Sequence, residues 1–497
     1  MSQIDVQHLT FAYEGSYDNI FEDKSFRIDT DWRLGLVGRN GKGKTTFLNI
    51  LRGKYAYQGK ITASVEFDYF PFDVPDPDKT AIEVVEAIDP DHEFWKVLRE
   101  MDLLELSEEV LFRPYSTLSG GERSKLMLSV LFSKEGRFAL IDEPTDHLDR
   151  HGRELVSRYL RRKKGFVLVS HDRDFLDGCV DHILSIDRNG LEIQKGNFSS
   201  WWKNKQQQDA LEIEQDRRLR GEIKRLENSA REKSNWSDKV EQSKFGNGPV
   251  DRGYIGHLAS KMMKRSKSIE KRQHRALEEK SKLLKNIERA HPLKIEQLPY
   301  HTDLLCALED VSISYDGRAV CEKVDLSIRK GDRIALCGKN GSGKSSILKL
   351  ICGEKIDITG EIKRNDRLKI GYVSQQTDHL HGSLSVYAKS LGIDESLFKA
   401  ILQKLDLSKT QFEKDMSSFS EGQKKKVLIA ASLARPNHLL IWDEPLDHID
   451  VISRIQIEEL LLNSEPTILF VEHDSAFCDR IATSIVDLDA RSTSGRS

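Results

Sequence analysis

"G-R-N-G-K-G-K-T", residues 38–45, returns three hundred residues later as "G-K-N-G-S-G-K-S", residues 338–345. Both copies obey the spacing G-x-x-x-x-G-K-[ST]. Short apolar runs precede them, "W-R-L-G-L-V" (32–37) and "R-I-A-L-C" (333–337), as buried strands require. A strand, a glycine loop and a helix opening at about Lys44 or Lys344 build a phosphate cradle. Gly38, Gly41 and Gly43, with Gly338, Gly341 and Gly343, let main-chain N–H groups converge on an anion at a helix N-terminus. Lys44 and Lys344 are expected to reach the β- and γ-phosphates, and Thr45 and Ser345 to offer hydroxyls to Mg2+. Asn40, Thr46, Asn340 and Ser346 belong to the same nucleotide-binding loops.

Three further motifs recur in the same order. "L-S-G-G-E" (118–122) returns as "F-S-E-G-Q" (419–423), "A-L-I-D-E-P" (139–144) as "L-I-W-D-E-P" (440–445), and "S-H-D" (170–172) as "E-H-D" (472–474). The four offsets run from 300 to 302, so the chain holds two modules with the same parts. Each module reads as α/β, with buried parallel strands before Asp142, before Asp443 and at 165–170, and helices after each serine–glycine motif. Asp142 and Asp443 end apolar strands, where a carboxylate is costly unless it serves an ion, here Mg2+. Glu143 and Glu444 are placed to orient or deprotonate an attacking water. His171 and His473 open the loop after the next strand, within reach of a γ-phosphate.

The net charge of −3 hides an uneven distribution. Residues 203–290 carry 23 Lys/Arg against 14 Asp/Glu, while the rest of the chain carries 54 against 66. A basic middle between acidic flanks points to a polyanionic partner. The six cysteines include no C-x-x-C pair, which opposes structural zinc, an iron–sulfur cluster or a disulfide framework. No run approaches the ~18 apolar residues of a membrane span. The expectation is a reduced, soluble, cytoplasmic protein. In the middle, Leu219, Ile223, Leu226 and Ala230 fall at helical spacing, as do Ile269, Ala276, Leu283 and Ile287 on the return. These narrow stripes predict an antiparallel helical hairpin, each arm about 60 Å long for forty residues. The glycine-rich stretch 244–258 is its tip. Lys264, Arg265 and Lys267 can pair with phosphates, and Phe245, Val250 and Tyr254 project from the tip.

With these motifs the chain resembles the ATP-binding cassette superfamily, whose signature is L-S-G-G-E. In that family two cassettes pair head to tail, each ATP lying between one phosphate loop and the opposite signature. The resemblance implies Tyr13 and Tyr315 stacked on adenine. It assigns to site one Lys44, Thr45, Asp142, Glu143 and His171 with Ser420, Gly422 and Gln423. Site two would use Lys344, Ser345, Gln375, Asp443, Glu444 and His473 with Ser119, Gly120 and Gly121, Gln375 being a metal contact. Two departures fall on site one, Phe72 where the second module has Gln375, and Glu421 where the first signature has Gly120. Unequal sites follow as an expectation. Asp146 and Asp447 stand where the family commonly has asparagine.

Tandem cassettes with such a linker and no membrane domain resemble the ABC-F family. Stretches such as "K-F-G-N", "M-K-R-S-K" and "I-W-D-E-P-L" are similar to its Lsa-type antibiotic-resistance members. The implied fold is two α/β cassettes, 1–199 and 301–490, joined by a helical hairpin linker, 200–300, with a short tail at 491–497. The implied activity is ATP hydrolysis with Mg2+ by a cytoplasmic, ribosome-associated monomer whose cassettes pair within one chain. Its linker would meet rRNA and the P-site tRNA near the peptidyl-transferase centre and relieve inhibition by lincosamides, streptogramin A and pleuromutilins. A housekeeping translation factor of the same fold shares every motif, and a transporter ATPase awaiting a membrane partner is a more distant alternative.

Overall fold

The computed structural model describes residues 2–14, 19–146, 148–187, 190–242, 297–315, 318–339, 341–408 and 410–488. The chain divides into two units, residues 1–201 together with 292–497, and residues 202–291.

The first unit contains both cassettes. Cassette one opens with β1 (Gln3–Phe11), β2 (Phe21–Asp29) and β3 (Arg33–Gly38), followed by α1 (Lys44–Leu51), β4 (Gln58–Thr62) and β5 (Glu66–Phe70). A helical layer follows, α2 (Ala81–Ile88), α3 (Phe94–Leu103) and α4 (Gly120–Ser133). It closes with β6 (Arg137–Asp142), α5 (Arg150–Arg161), β7 (Phe166–Val169), α6 (Arg173–Cys179), β8 (His182–Asp187) and β9 (Gly190–Lys195). Strands β2-β1-β4 form an antiparallel sheet, and β5-β6-β7-β3-β8-β9 a second sheet that is parallel except at β9. The central strands are buried on both faces, Leu34, Leu36, Leu140, Val167 and Leu168 being inaccessible to solvent. That explains their unbroken apolar sequence. Because β3, β6 and β7 run parallel, Gly38, Asp142 and Ser170 all emerge at one end of the sheet.

The helix Phe198–Gln242, α7, leads on from cassette one. Cassette two then repeats the plan. It has β10 (Leu304–Tyr315), β11 (Arg318–Arg329), β12 (Arg333–Cys337), α8 (Lys344–Cys352), β13 (Ile358–Arg364) and β14 (Ile370–Val373). Helices α9 (Leu384–Leu391), α10 (Glu395–Lys404) and α11 (Glu421–Ala434) form its helical layer. Strand β15 (Leu439–Asp443), α12 (Val451–Ser464), β16 (Ile468–Val471), α13 (Ser475–Ile481) and β17 (Ser484–Asp487) complete it. The sheets are β11-β10-β13 and β14-β15-β16-β12-β17. Two tandem α/β cassettes are therefore present, with strands and helices where the repeated motifs put them.

The second unit is represented by the helical residues 202–242. α7 has 45 residues, about 68 Å at 1.5 Å per residue. Its apolar side chains are sparse, and Leu211 and Ile213 are exposed. The tip at 244–258 and the return arm lie outside the described residues, as do Phe245, Val250, Tyr254, Lys264, Arg265 and Lys267. Asn340 and the tail 491–497 lie outside them too.

The cassettes meet through buried ion pairs. Glu458 on α12 is fully buried and accepts from Arg173 of cassette one, at 3.1 Å for one of two contacts, and from Arg480 at 2.9 Å. Arg39 pairs with Asp406 at 2.8 Å, and the Ser475 hydroxyl donates to Asp174 at 3.1 Å. Removing one partner of a buried pair leaves a charge that water cannot reach. Glu458→Ala, which leaves the mostly buried Arg173 with only the longer contact to Asp474 at 3.7 Å, is expected to destabilise the cassette pair by about 3 kcal/mol in urea unfolding. A change under about 1 kcal/mol would mean that Asp474 or water entry satisfies the Arg173 guanidinium.

Candidate functional site

The two phosphate loops are built alike. Gly41 and Gly43 have φ of 77° and 97°, Gly341 and Gly343 of 85° and 88°, left-handed values that a side chain resists. A Cβ on Gly43 would also meet the Ile20 side chain at 2.5 Å, so the loop fits only glycine there. Helices α1 and α8 begin immediately afterwards and aim their free N–H groups at the loop. Lys44 Nζ donates to the carbonyl of Gly38 at 2.7 Å and to Asn40 Oδ1 at 3.2 Å. Lys344 Nζ donates to the carbonyls of Gly338 and Lys339 at 2.8 and 2.9 Å. Burial lowers the Lys44 pKa, as the loss of hydration of an ammonium must.

Beside each lysine a hydroxyl meets a strand-end carboxylate. Thr45 donates to Asp142 at 2.9 Å, and Ser345 to Asp443 at 3.2 Å. Burial raises the pKa of both carboxyls against those hydrogen bonds. A hard hydroxyl and a hard carboxylate brought together twice, at the mouth of a phosphate loop, form a donor set that suits Mg2+. Glu143 and Glu444 follow with φ of 48° and 46°, strained for a side-chain-bearing residue, and their N–H groups are tied to Val169 and Val471. The strain turns both carboxylates toward the loops.

The surroundings of these two glutamates differ. Glu444 Oε1 lies 3.3 Å from His473 Nε2, and its Oε2 accepts from Gln375 at 2.7 Å. The His473 hydrogen bond dominates and lowers its pKa to about 2. Glu143 Oε2 accepts from the main-chain N–H of His171 at 3.2 Å. His171 Nε2 lies 3.3 Å from Glu143 Oε1 without forming a hydrogen bond to it. Burial, then Asp146 and Asp142, raises the Glu143 pKa to about 8. Phe72 makes no polar substitute for Gln375, since its ring faces Lys134 with Nζ 5.1 Å from the centroid. Glu421 is turned to its own cassette. It accepts from Thr377 and sits 3.0 Å from Lys424, and the Thr377 bond leads in lowering its pKa. Its charge is thereby partly compensated.

Across the cassettes, Asn40 Nδ2 donates to the His448 carbonyl at 2.7 Å, and Asn40 N lies 3.4 Å from Asp450 Oδ2. A Cβ on Gly422 would meet the His448 carbonyl at 2.3 Å and Asn40 Nδ2 at 2.9 Å. The second signature thus closes on the first phosphate loop. A cavity of about 900 Å3 joins Asn40, Glu143 and His171 to Ser420 and Gly422, and reaches Lys344, Ser345, Gln375, Glu444 and His473. Ser119, Gly120 and Gly121 instead line a cavity of about 1000 Å3 whose described walls all come from cassette one. Ser420 caps α11, and Gln423 completes that capping box by accepting from Ser420 N at 3.2 Å. Tyr13 donates to or accepts from Thr46 at 2.8 Å, and Tyr315 donates to Ser346 at 3.2 Å, each ring about half exposed beside its loop.

Several residues of the site escape the motif reading. Arg153 donates to Asp172 at 3.2 Å and to the His473 carbonyl across the cassettes at 3.4 Å, and Arg454 donates to Asp474 at 3.1 Å. Asp450 pairs with Lys426 at 3.0 Å. Arg153 and Arg454, like Asp149 and Asp450, sit 301 residues apart, so extending the repeat beyond the four motifs finds them. Tyr69, which donates to Asp142 at 3.1 Å, returns as Tyr372 at the offset that relates Phe72 to Gln375.

Comparison with known proteins agrees with this geometry. The ribosome protection protein VmlR of Bacillus subtilis (strain 168) is 27% identical, the match covering 95% of this chain and 84% of that protein. The energy-dependent translational throttle protein EttA of Escherichia coli O6:H1 is 26% identical over 92% of this chain and 86% of its own. Among solved structures, the archaeal ribosome recycling factor aABCE1, crystallised with a ribosomal stalk protein, shares the fold. It superposes with a TM-score of 0.60 at 21% identity, over 91% of this chain and 82% of that one. The ABC transporter family matches twice, at residues 21–146 and 321–447, one match on each phosphate loop and strand-end carboxylate. The chain belongs to the ABC transporter family and carries its ATP-binding cassette in tandem.

Proposed function

We propose that this chain is an ABC-F ATPase that binds the ribosome with ATP between its cassettes and protects translation from lincosamides, streptogramin A and pleuromutilins. The observation that carries the ATPase reading is the closure of Gly422 on Asn40, which puts one cassette's signature on the other's phosphate loop. No described helix is long and apolar enough to cross a membrane. The ribosome enters through the similarity to VmlR over nearly the whole chain. The similarity to EttA favours a second reading, a housekeeping factor acting on stalled ribosomes without drug. On either reading the chain works in the cytoplasm as a monomer with cassettes 1–199 and 301–490. The linker 200–300 meets rRNA and P-site tRNA, and Lys264, Arg265 and Lys267 contact phosphates.

The residues divide the chemistry among them. Lys44 and Lys344 exchange the carbonyls they now hold for phosphate oxygens. Bound Mg2+, held by Thr45 with Asp142 and by Ser345 and Gln375 with Asp443, would draw off charge from the phosphates. Glu444, already ionised and oriented by Gln375 and His473, accepts the proton of the attacking water. Glu143 lacks the glutamine, and the burial, Asp146 and Asp142 that raise its pKa to about 8 make it the poorer base until its proton leaves. Ser420 and Gly422 present a helix N-terminus to the phosphates of site one. Tyr13 and Tyr315 offer ring faces to adenine.

Glu143→Gln with Glu444→Gln should bind ATP, fail to hydrolyse it, and co-sediment with ribosomes more than the parent chain does. Sedimentation no greater than the parent's would remove ribosome binding from the ATP-bound state. Singly, Glu444→Gln should lower steady-state turnover several-fold more than Glu143→Gln, because only Glu444 has its glutamine partner. Equal losses would show the sites to be equivalent. A susceptibility panel in a drug-sensitive host separates protection from housekeeping. Shortening 246–253 to a Gly-Asn turn is expected to leave ribosome binding in place and abolish lincosamide protection. Full protection by the shortened chain would exclude the tip from the mechanism.

A further inference from the structure

Cassette two contains a buried lysine that cassette one lacks. Lys425 is 2% exposed and lies just past the first turn of α11, the helix that begins with the signature residues facing Asn40. Its Nζ donates to the main-chain carbonyl of Glu444 at 2.9 Å and to that of Ser374 at 3.2 Å. Ser374 immediately precedes Gln375, whose amide donates to the Glu444 carboxylate. One ammonium therefore ties together the signature helix, the start of the glutamine loop and the strained turn at Glu444. A lysine suits this role, offering three donors on a stem long enough to cross from helix to strand ends.

The corresponding position in cassette one is Ser124, too short to make that crossing. A second difference accompanies it. Glu472 stands where cassette one has Ser170, and it is buried with Oε2 lacking a hydrogen bond among the described residues. Lys425 feels Asp447, Glu472, Glu444 and Asp443, so the acidic groups compensate a cation that burial otherwise disfavours. Cassette two thus holds a lysine and a glutamate where cassette one holds two serines.

The two ends of this strut belong to different nucleotide sites. Ser420 and Gly422 face the phosphate loop of site one, whereas Glu444 and Gln375 serve site two. We propose that Lys425 is a positioning residue that couples the sites, transmitting the seating of the signature on nucleotide at site one to Glu444 and Gln375 at site two. The proposal rests on the reading of both cassettes as ATP-binding. Because Ser124 makes no such strut, only one of the two possible couplings through a signature helix is present. Coupling of binding is reciprocal, so nucleotide at site two tightens site one by the same factor.

The test is an equilibrium titration with methylanthraniloyl-ATP in chains carrying Glu143→Gln and Glu444→Gln, so that the probe is not consumed. The parent chain should bind two equivalents, the first raising affinity for the second at least about fivefold. With Lys425→Met it should still bind two, now independently. In chains with both glutamates intact, Lys425→Met should lower kcat about tenfold with KM within about twofold, as loss of positioning rather than binding requires. Glu472→Gln added to Lys425→Met removes the stranded carboxylate and should restore the thermal midpoint without restoring coupling. Retained coupling in that double variant, or none in the parent, overturns the proposal. A parent that binds no probe at all overturns the ATP-binding reading beneath it.

Discussion

One buried carboxylate holds the functional end of this molecule together. Asp450 is inaccessible to solvent, yet it caps α12 through Ser453 N at 2.9 Å, pairs with Lys426 at 3.0 Å and faces Asn40 of the other cassette. A charge in that position is tolerable only while every partner stays in place. The signature helix, the turn before α12 and the opposite phosphate loop are consequently fixed relative to one atom group. Asp149, its counterpart in cassette one, caps α5 through Gly152 N at 2.8 Å. The repeat has kept the cap in both halves, and cassette two adds a cross-cassette task.

The halves are copies in backbone and not in chemistry. Glu143 and Glu444 share nearly the same left-handed backbone angle, but one is raised to about 8 by burial and the other lowered to about 2 by its histidine. Thr145 and Ser170 lie 3.4 Å apart in cassette one, where cassette two has Leu446 and Glu472. Such swaps leave the sheet order intact because they occur at strand ends, beyond the last ladder bonds. A tandem arrangement in one chain lets the two sites diverge in this way, as two identical subunits could not.

Much of this was legible in the sequence because glycine loops and strand-end acids have narrow physical uses. Gly43 must be glycine for its φ and for the Ile20 contact, and Asp142, an acid ending an apolar strand, meets the Thr45 hydroxyl beside that loop. The parallel core followed from unbroken apolar runs such as 166–169. What spacing did not reveal were contacts distant in sequence, such as Thr377 on Glu421 and Arg173 on Glu458. Those side chains have many ordinary uses, and only the tertiary fold selects one. The sequence shows Glu421 in the place of Gly120 but not that Thr377 and Lys424 engage it. The linker tip is a sequence reading alone.

Lys44 and Lys344 are both bonded to carbonyls of their own loops. Each ammonium finds its acceptors within its own loop, so the turn that cradles an anion also sets the position of the cation beside it. The place of each charge is thus written into the nearest backbone and needs no distant side chain to hold it.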